Sequence, residues 1–346
     1  VKRDGERGVV LILVLVIIVL SLGTVYTFAR RSLLDVLSAR QRADRIRAEL
    51  LARSGVSLAL RALGEDRSSQ DPLARALESP RDPWVVLGLA PIQVEDGELR
   101  IQILDAGERI PLRALLDDQG GIVPVARDFL RQALDRIVEN LPGRREEKRY
   151  DTEAIGDGIL DWIDTDKETR LGDDEAKYYE ERGAKSGPVD RKLVSLAELG
   201  QVPGMDETLL VALGDYFAPA PAFPRSEGGG LNPNTAPPHL LALLYLVANE
   251  QGRFVEDEDV YSVLKARQDG QVFCPGEGGG TEEDCTDFAS TLGAGGETIF
   301  PPLAFQTNVF SIRVRARMGT AQACVTTVVN REKVDKIKPL AYRLGC

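Results

Sequence analysis

The stretch Asp161 to Tyr179 reads DWIDTDKETRLGDDEAKYY and sets carboxylates at the spacing of an oxygen-ligand loop. Counted from Asp164 as position one, Asp166, Glu168 and Glu175 fall at positions three, five and twelve, where a calcium loop places its ligands. Hard cations need several oxygens gathered by a bent backbone, and a D-x-D-x-E turn closed by a later glutamate supplies them. Position six, glycine in an EF-hand, is Thr169, and a glycine comes at position nine as Gly172. The pattern therefore points to an acidic loop folded around one Ca2+, not an EF-hand. Asp161, Asp173 and Asp174 are further oxygen donors, and Trp162, Tyr178 and Tyr179 read as packing residues. A solvated acidic loop is the competing reading.

Other chemistry has less support. The only histidine is His239, too few for a zinc site or a His-based triad, and it reads as an ordinary polar residue beside Pro237-Pro238. Acid pairs such as Asp161 with Asp164 suit acid–base hydrolysis, but no nucleophile and base accompany them, so a periplasmic hydrolase is a secondary alternative and the chain reads as a non-enzyme. The balance of 54 Asp and Glu against 43 Lys and Arg lacks the basic footprint of nucleic-acid binding. None of Cys274, Cys285, Cys324 and Cys346 stands in a CxxC pair. Their number and position favour disulfides outside the cytoplasm, with Cys274–Cys285 the first choice because it closes a Gly-rich acidic loop.

Several elements must position these groups. Val9 to Ala29 is uncharged and apolar, and at 1.5 Å per residue spans roughly 30 Å, the thickness of a bilayer core. No small-residue cleavage site follows it, so it reads as a retained anchor after a polar leader, residues 1–8. The helical pattern continues to Leu63 through Leu33, Leu34, Leu37, Leu50, Leu51, Val56, Leu58 and Leu60, giving an amphipathic half that must cover a sheet. Alternation at Leu99, Ile101 and Ile103, and again at Phe310, Ile312, Val314 and Ala316, predicts strands that pair in one antiparallel sheet. Residues 64–123 and 303–346 thus form the sheet, and 124–302 an inserted helical domain. Its expected helices are Val125–Leu141, one through Ile155 and Ile159, one capped at Ser195 with Glu198, one capped at Asp206, and Leu240–Val247. The order helix, Pro203-Gly204 turn, helix, then Asn232-Pro-Asn-Thr-Ala-Pro resembles a helix-hairpin-helix. A membrane-anchored DNA-binding protein is therefore another alternative, opposed by the acids of VPGMDET where phosphate would approach.

A leader ending in Gly8 before a long apolar helix resembles the type IV pilins and type II secretion pseudopilins. In that family a prepilin peptidase cuts after the glycine, leaving Val9 first. Most members carry Glu at the fifth mature position, where this sequence has Leu13; one minor type lacks that acid. The DWID-x-D stretch with G-x-x-E and YY, the capping-box helix with its PG turn, and N-x-N-T-A-P in that order resemble the minor pseudopilins of K type. The resemblance implies an α+β, type IV pilin-like fold with an inserted α-helical domain. It implies a single-pass inner-membrane protein with its bulk in the periplasm, at the tip of a short pseudopilus that supports export across the outer membrane. The partners implied are the I and J minor pseudopilins, the major pseudopilin, the peptidase and the inner-membrane assembly platform, with no nucleic acid. Calcium is implied in the helical domain at Asp164, Asp166 and Glu175. A second site is implied too, for which Glu282, Glu283 and Asp284 are candidates.

Overall fold

The computed structural model describes residues 4–67, 77–79, 81–141, 150–170, 172–183, 187–188, 193, 195–219, 230–249, 251–275, 285–331 and 337–345, with backbone alone at 4–10, 67 and 338. Helix α1 runs from Asp4 to Arg67, uninterrupted because no proline or glycine pair breaks it. Every described side chain from 11 to 43 is exposed. Up to Ala29 that exposed surface is uncharged and apolar, a patch far larger than a protein in water normally shows, and by length and composition the helix fits a single-pass membrane anchor.

The other helices are α2 (Pro83–Gly88), α3 (Ala126–Glu139), α4 (Thr152–Ile163), α5 (Glu175–Glu181), α6 (Glu207–Tyr216), α7 (Pro238–Leu241), α8 (Asp257–Gln268) and α9 (Phe288–Thr291). The strands are β1 (Ile92–Val94), β2 (Gly97–Asp105), β3 (Ile110–Pro111), β4 (Phe217–Ala218), β5 (Tyr245–Ala248), β6 (Gln251–Phe254), β7 (Phe273–Cys274) and β8 (Thr286–Asp287). β9 (Thr298–Phe300), β10 (Val309–Met318), β11 (Ala321–Asn330) and β12 (Lys338–Leu344) complete the set.

Five strands in the order β1-β2-β10-β11-β12 form one antiparallel sheet. Period-two alternation turns Leu99, Ile101, Ile103, Ile312, Val314, Ala316, Val325 and Val329 to one face, which α1 covers. The covering stripe is Ala48, Ala52, Val56, Ala59 and Leu63, all buried. This differs from the stripe of large residues expected from sequence: Leu33, Leu34, Leu37, Leu50 and Leu58 are exposed, while Leu51 and Leu60 are half-buried against the core. Small residues win because the helix lies close to the sheet. A Cβ on Gly55 would stand 2.6 Å from Val314 Cγ1 and 3.0 Å from Leu99 Cδ1.

A second core belongs to the inserted domain, and it starts earlier than the expected residue 124. Ile110, Leu112 and Leu115 are part of it, and β3 pairs in parallel with β4. Phe129, Leu130, Ala133, Leu134 and Ile137 form the buried stripe of α3, as their spacing predicts. Another expectation fails: the apolar run from Leu240 is not one helix to Val247. It turns after α7 into β5, which pairs with β6 on one side and β9 on the other. Tyr245 and Leu246 are buried there, and aromatic and β-branched residues favour that paired position over a helix. The Ser195–Glu198 capping box is present, but the turn it opens, Leu196–Gln201, is a 3-10 helix.

The two cores are fastened at a buried polar junction. At the end of β2, Asp105 accepts from Gly107 N, Asn232 Nδ2 and Thr235 Oγ1 at 2.6, 2.9 and 2.7 Å. The Asn-Pro-Asn-Thr segment thereby becomes the clamp between inserted domain and sheet. Separately, at the C-terminal end of α1, the buried guanidinium of Arg331 pairs with Asp66 and Glu78 and stacks over Phe310 at 4.6 Å, tying the helix to β11. Cys274 and Cys285 form a disulfide with Cα atoms 5.9 Å apart, as expected. Cys324 is also disulfide-bonded; Cys346 lies outside the described residues.

Candidate metal centre

Helix α4 starts at Asp151, whose carboxylate accepts from Ala154 N. It delivers Asp161 in its last turn and ends at Asp164, whose extended ψ of −174° stops it. The chain then makes a tight turn closed by a bridge between Glu168 and Asp174 and by Glu175 N donating to Lys167 O at 3.1 Å. Gly172 supplies the left-handed residue of that turn, at φ 80°. Asp174 caps α5 by accepting from Lys177 N, so Glu175 stands at its first position.

This path brings together three carboxylates that sequence separates. One oxygen each from Asp161, Asp164 and Glu175 lie within 4.8 Å of one another, and the three residues are 6, 3 and 3 % exposed. Buried like charges at that separation oppose folding unless a proton or cation joins them. The C-terminal dipole of α4 adds further negative potential. Burial pushes the Asp161 carboxyl up to about 6, against the hydrogen bond from Tyr179, with Asp157 and Asp166 adding to the rise and Arg127 opposing it.

Asp166 and Glu168 are not in this group. Both are exposed, and Asp166 Oδ1 accepts from Glu168 N at 2.9 Å, shaping the turn instead. A twelve-residue ligand loop needs open backbone at these positions, whereas the hairpin bridge directs them outward. Asp173 and Asp174 are exposed as well, and Glu282, Glu283 and Asp284 lie outside the described residues.

The aromatic residues pack as their sequence context suggests. Trp162 and Tyr179 meet edge to face at 5.3 Å. Tyr179 has a further role that spacing alone conceals: its hydroxyl donates to Asp161 Oδ2 at 3.0 Å. The signal was its place one turn after Glu175, on the same face of α5. Gly158 makes room for it, since a Cβ there would lie 3.3 Å from the Tyr179 hydroxyl and 2.6 Å from Val202 Cγ1. Around the rim, Arg170 binds Glu153 and Asp157 at 2.7 Å each, and Arg127 binds Asp157 at 2.9 Å. An open cavity of ≈ 270 Å³ bordered by Asp157, Asp161, Arg170 and Tyr179 reaches one of the three carboxylates, Asp161. Three clustered buried carboxylate oxygens fit a hard divalent cation. Among the described residues His239 joins no such group; its ring meets Tyr216 edge to face at 5.1 Å.

Comparison with known proteins separates sequence from fold. Residues 108–221, which include the acidic turn, match the family model of type II secretion system protein K. No curated protein matches the sequence. Among solved structures, a chain in the crystal structure of the GspK–GspI–GspJ complex from the enterotoxigenic Escherichia coli type 2 secretion system is similar, with a TM-score of 0.57 and 19 % identity. The similarity covers 89 % of this chain and 99 % of that one, so it shows the fold over nearly the whole length. The segment that carries the acidic turn is thus similar to protein K of the type II secretion system, in a chain whose fold is a long N-terminal helix on an antiparallel sheet with an inserted domain, as in that structure.

Proposed function

We infer that this chain is a minor pseudopilin of the type II secretion system, an assembly component and not an enzyme. The observation that carries the reading is the match of residues 108–221 to protein K, inside a fold whose long apolar helix packs on an antiparallel sheet. In this role α1 holds the chain in the inner membrane until assembly, with the sheet and inserted domain in the periplasm. Prepilin peptidase removes the leader after Gly8, so Val9 begins the mature chain. The chain then joins minor pseudopilins of I and J type, as in the GspK–GspI–GspJ complex, at the tip of a pseudopilus built from the major pseudopilin on the inner-membrane platform.

The inserted domain binds Ca2+ through Asp161, Asp164 and Glu175. Bound there, the cation neutralises three buried carboxylates and ties α4 to α5. Tyr179 orients Asp161 by its hydrogen bond, and Trp162 shields one side. Leu13 suits a tip position: an acid in lipid needs a partner charge, and a subunit with no neighbour above lacks the amine that would provide it.

The test is purification from membranes of cells that carry the secretion system. The chain is expected to start at Val9 by mass spectrometry and to co-purify with I- and J-type minor pseudopilins. A chain with an intact leader, or one that purifies without either partner, overturns the reading.

A further inference from the structure

We propose that the outer face of the five-stranded sheet, the one turned away from α1, is a docking surface for an acidic polypeptide segment in extended form. The chain as a whole is strongly acidic, with net charge −11, yet this face is basic. Period-two alternation puts Arg313, Arg315 and Arg317 of β10 on the side opposite Ile312, Val314 and Ala316. Arg100 of β2 is paired directly with Arg315, and Arg343 of β12 lies level with Arg313 through Thr326. Five arginines therefore share one surface.

The acid set against them is Glu98, which meets Arg317 at 3.1 Å and Arg100 at 3.3 Å. Among the described residues, Arg313, Arg315 and Arg343 form no ion pair, and Arg313 Nε is buried without a hydrogen-bond partner. Like charges directly opposite each other, such as Arg100 and Arg315, destabilise a sheet. A face built this way gains from an anionic occupant. A concavity of ≈ 600 Å³ lies over it, bordered by Arg100, Arg315, Arg317 and Gln322.

The chemistry favours carboxylates on a peptide. Guanidinium groups bind carboxylates bidentately, and those at alternate positions of β10 repeat about every 7 Å, the repeat of alternate side chains on an extended chain. Lipid headgroups are a poorer fit by position. The end of β10 nearest the anchor lies by Gly319, where a Cβ would stand 3.0 Å from Asp44. Asp44 is roughly 22 Å along the helix axis from Ala29 at 1.5 Å per residue, well beyond the screening length of about 8 Å at physiological salt.

The test uses the full chain in neutral-lipid nanodiscs and a labelled twelve-residue peptide of alternating Glu and Ser, read by fluorescence anisotropy. Binding is expected to weaken about tenfold or more when Arg313→Ser, Arg315→Ser and Arg317→Ser are combined. A peptide of the same composition with its glutamates in one block is expected to bind at least about threefold more weakly. Nanodiscs containing one-third phosphatidylglycerol are expected to leave peptide binding unchanged. The proposal is overturned by absent binding, by equal binding to the triple variant, by equal binding of the block peptide, or by competition from phosphatidylglycerol. Because the substituted residues lie on the face away from the core, circular dichroism and gel filtration of the triple variant should match the unaltered chain.

Discussion

The side-chain amide of Asn232 donates to Asp105 at 2.9 Å, although the two residues belong to different cores. Asp105 ends β2, and Asn232 is fully buried in the inserted domain. Burial raises the Asp105 carboxyl, and its hydrogen bonds with Thr235, Gly107 and Asn232 pull it back. Replacing Asn232 by Ala removes one donor from a buried carboxylate, which costs about 1.5–3 kcal/mol. Urea unfolding should show that loss, and limited proteolysis should release the inserted domain faster. An unchanged midpoint would place the hold between the cores elsewhere.

The proposed Ca2+ site should make stability depend on the ligand. A cation bound only by the folded chain raises the unfolding temperature, the stabilisation growing as RT ln(1 + L/Kd) for free-ligand concentration L. Millimolar Ca2+ should therefore raise Tm for the unaltered chain and leave the Asp164→Asn, Glu175→Gln double variant unmoved. Isothermal titration calorimetry should detect binding to the first and none to the second. Equal Tm shifts in the two proteins would remove these residues from the site.

Calcium affinity should also depend on acidity. Burial holds Asp161 protonated up to about 6, and a protonated carboxyl does not ligate a hard cation. Affinity is thus full above pH 7 and falls as pH drops through 6. Asp161→Asn should lower the affinity at pH 7.5 and flatten its dependence on pH. A profile that stays as steep in the variant assigns the titration to another group.

The junction below α1 should respond to pH in the opposite sense to an ordinary ion pair. Burial lifts Glu78 to about 8 despite Arg331, with Asp105, Asp66 and Asp82 adding to the rise. Burial and Asp66 lift Asp82 to about 7, against hydrogen bonds from Ser79 and Trp84. Both folded values exceed those of the unfolded chain, so the folded state binds more protons between about pH 4.5 and 8. By linkage, stability falls as pH rises through that window. Glu78→Gln, which keeps a neutral group in place, should reduce the slope of unfolding free energy against pH. The slope measured by urea titration at pH 5, 6, 7 and 8 decides the matter.

At the helix–sheet contact, Gly55→Val should cost about 1–3 kcal/mol through overpacking. Its side chain would be driven into Val314 and Leu99, both members of the core under α1. Leu50→Ala, by contrast, alters a residue that is 58 % exposed and should change stability of the soluble part by no more than about 0.5 kcal/mol. A reversed order would show that the large residues, not the small stripe, carry the packing.

Sequence alone determined the features that rest on local chemistry. An uncharged run long enough to span a bilayer, alternation along β2 and β10, the stripe of α3 and the caps at Ser195 and Asp206 are each written within a few residues. The disulfide between Cys274 and Cys285 was legible because a short Gly-rich loop has little else to hold it. Tertiary structure decided what depends on distant partners. Ala48, Ala52 and Gly55 are unremarkable in a helical pattern and become the packing stripe only because a sheet approaches so closely. Tyr245 and its neighbours leave the helix because β6 and β9 are there to pair with. Of the acids in DWIDTDKETRLGDDE, spacing could not say which point inward. The hairpin bridge between Glu168 and Asp174 settles that: it turns Asp166 and Glu168 to solvent and leaves Asp161, Asp164 and Glu175 facing one another. Burial is a property of the packed chain and not of the residue order.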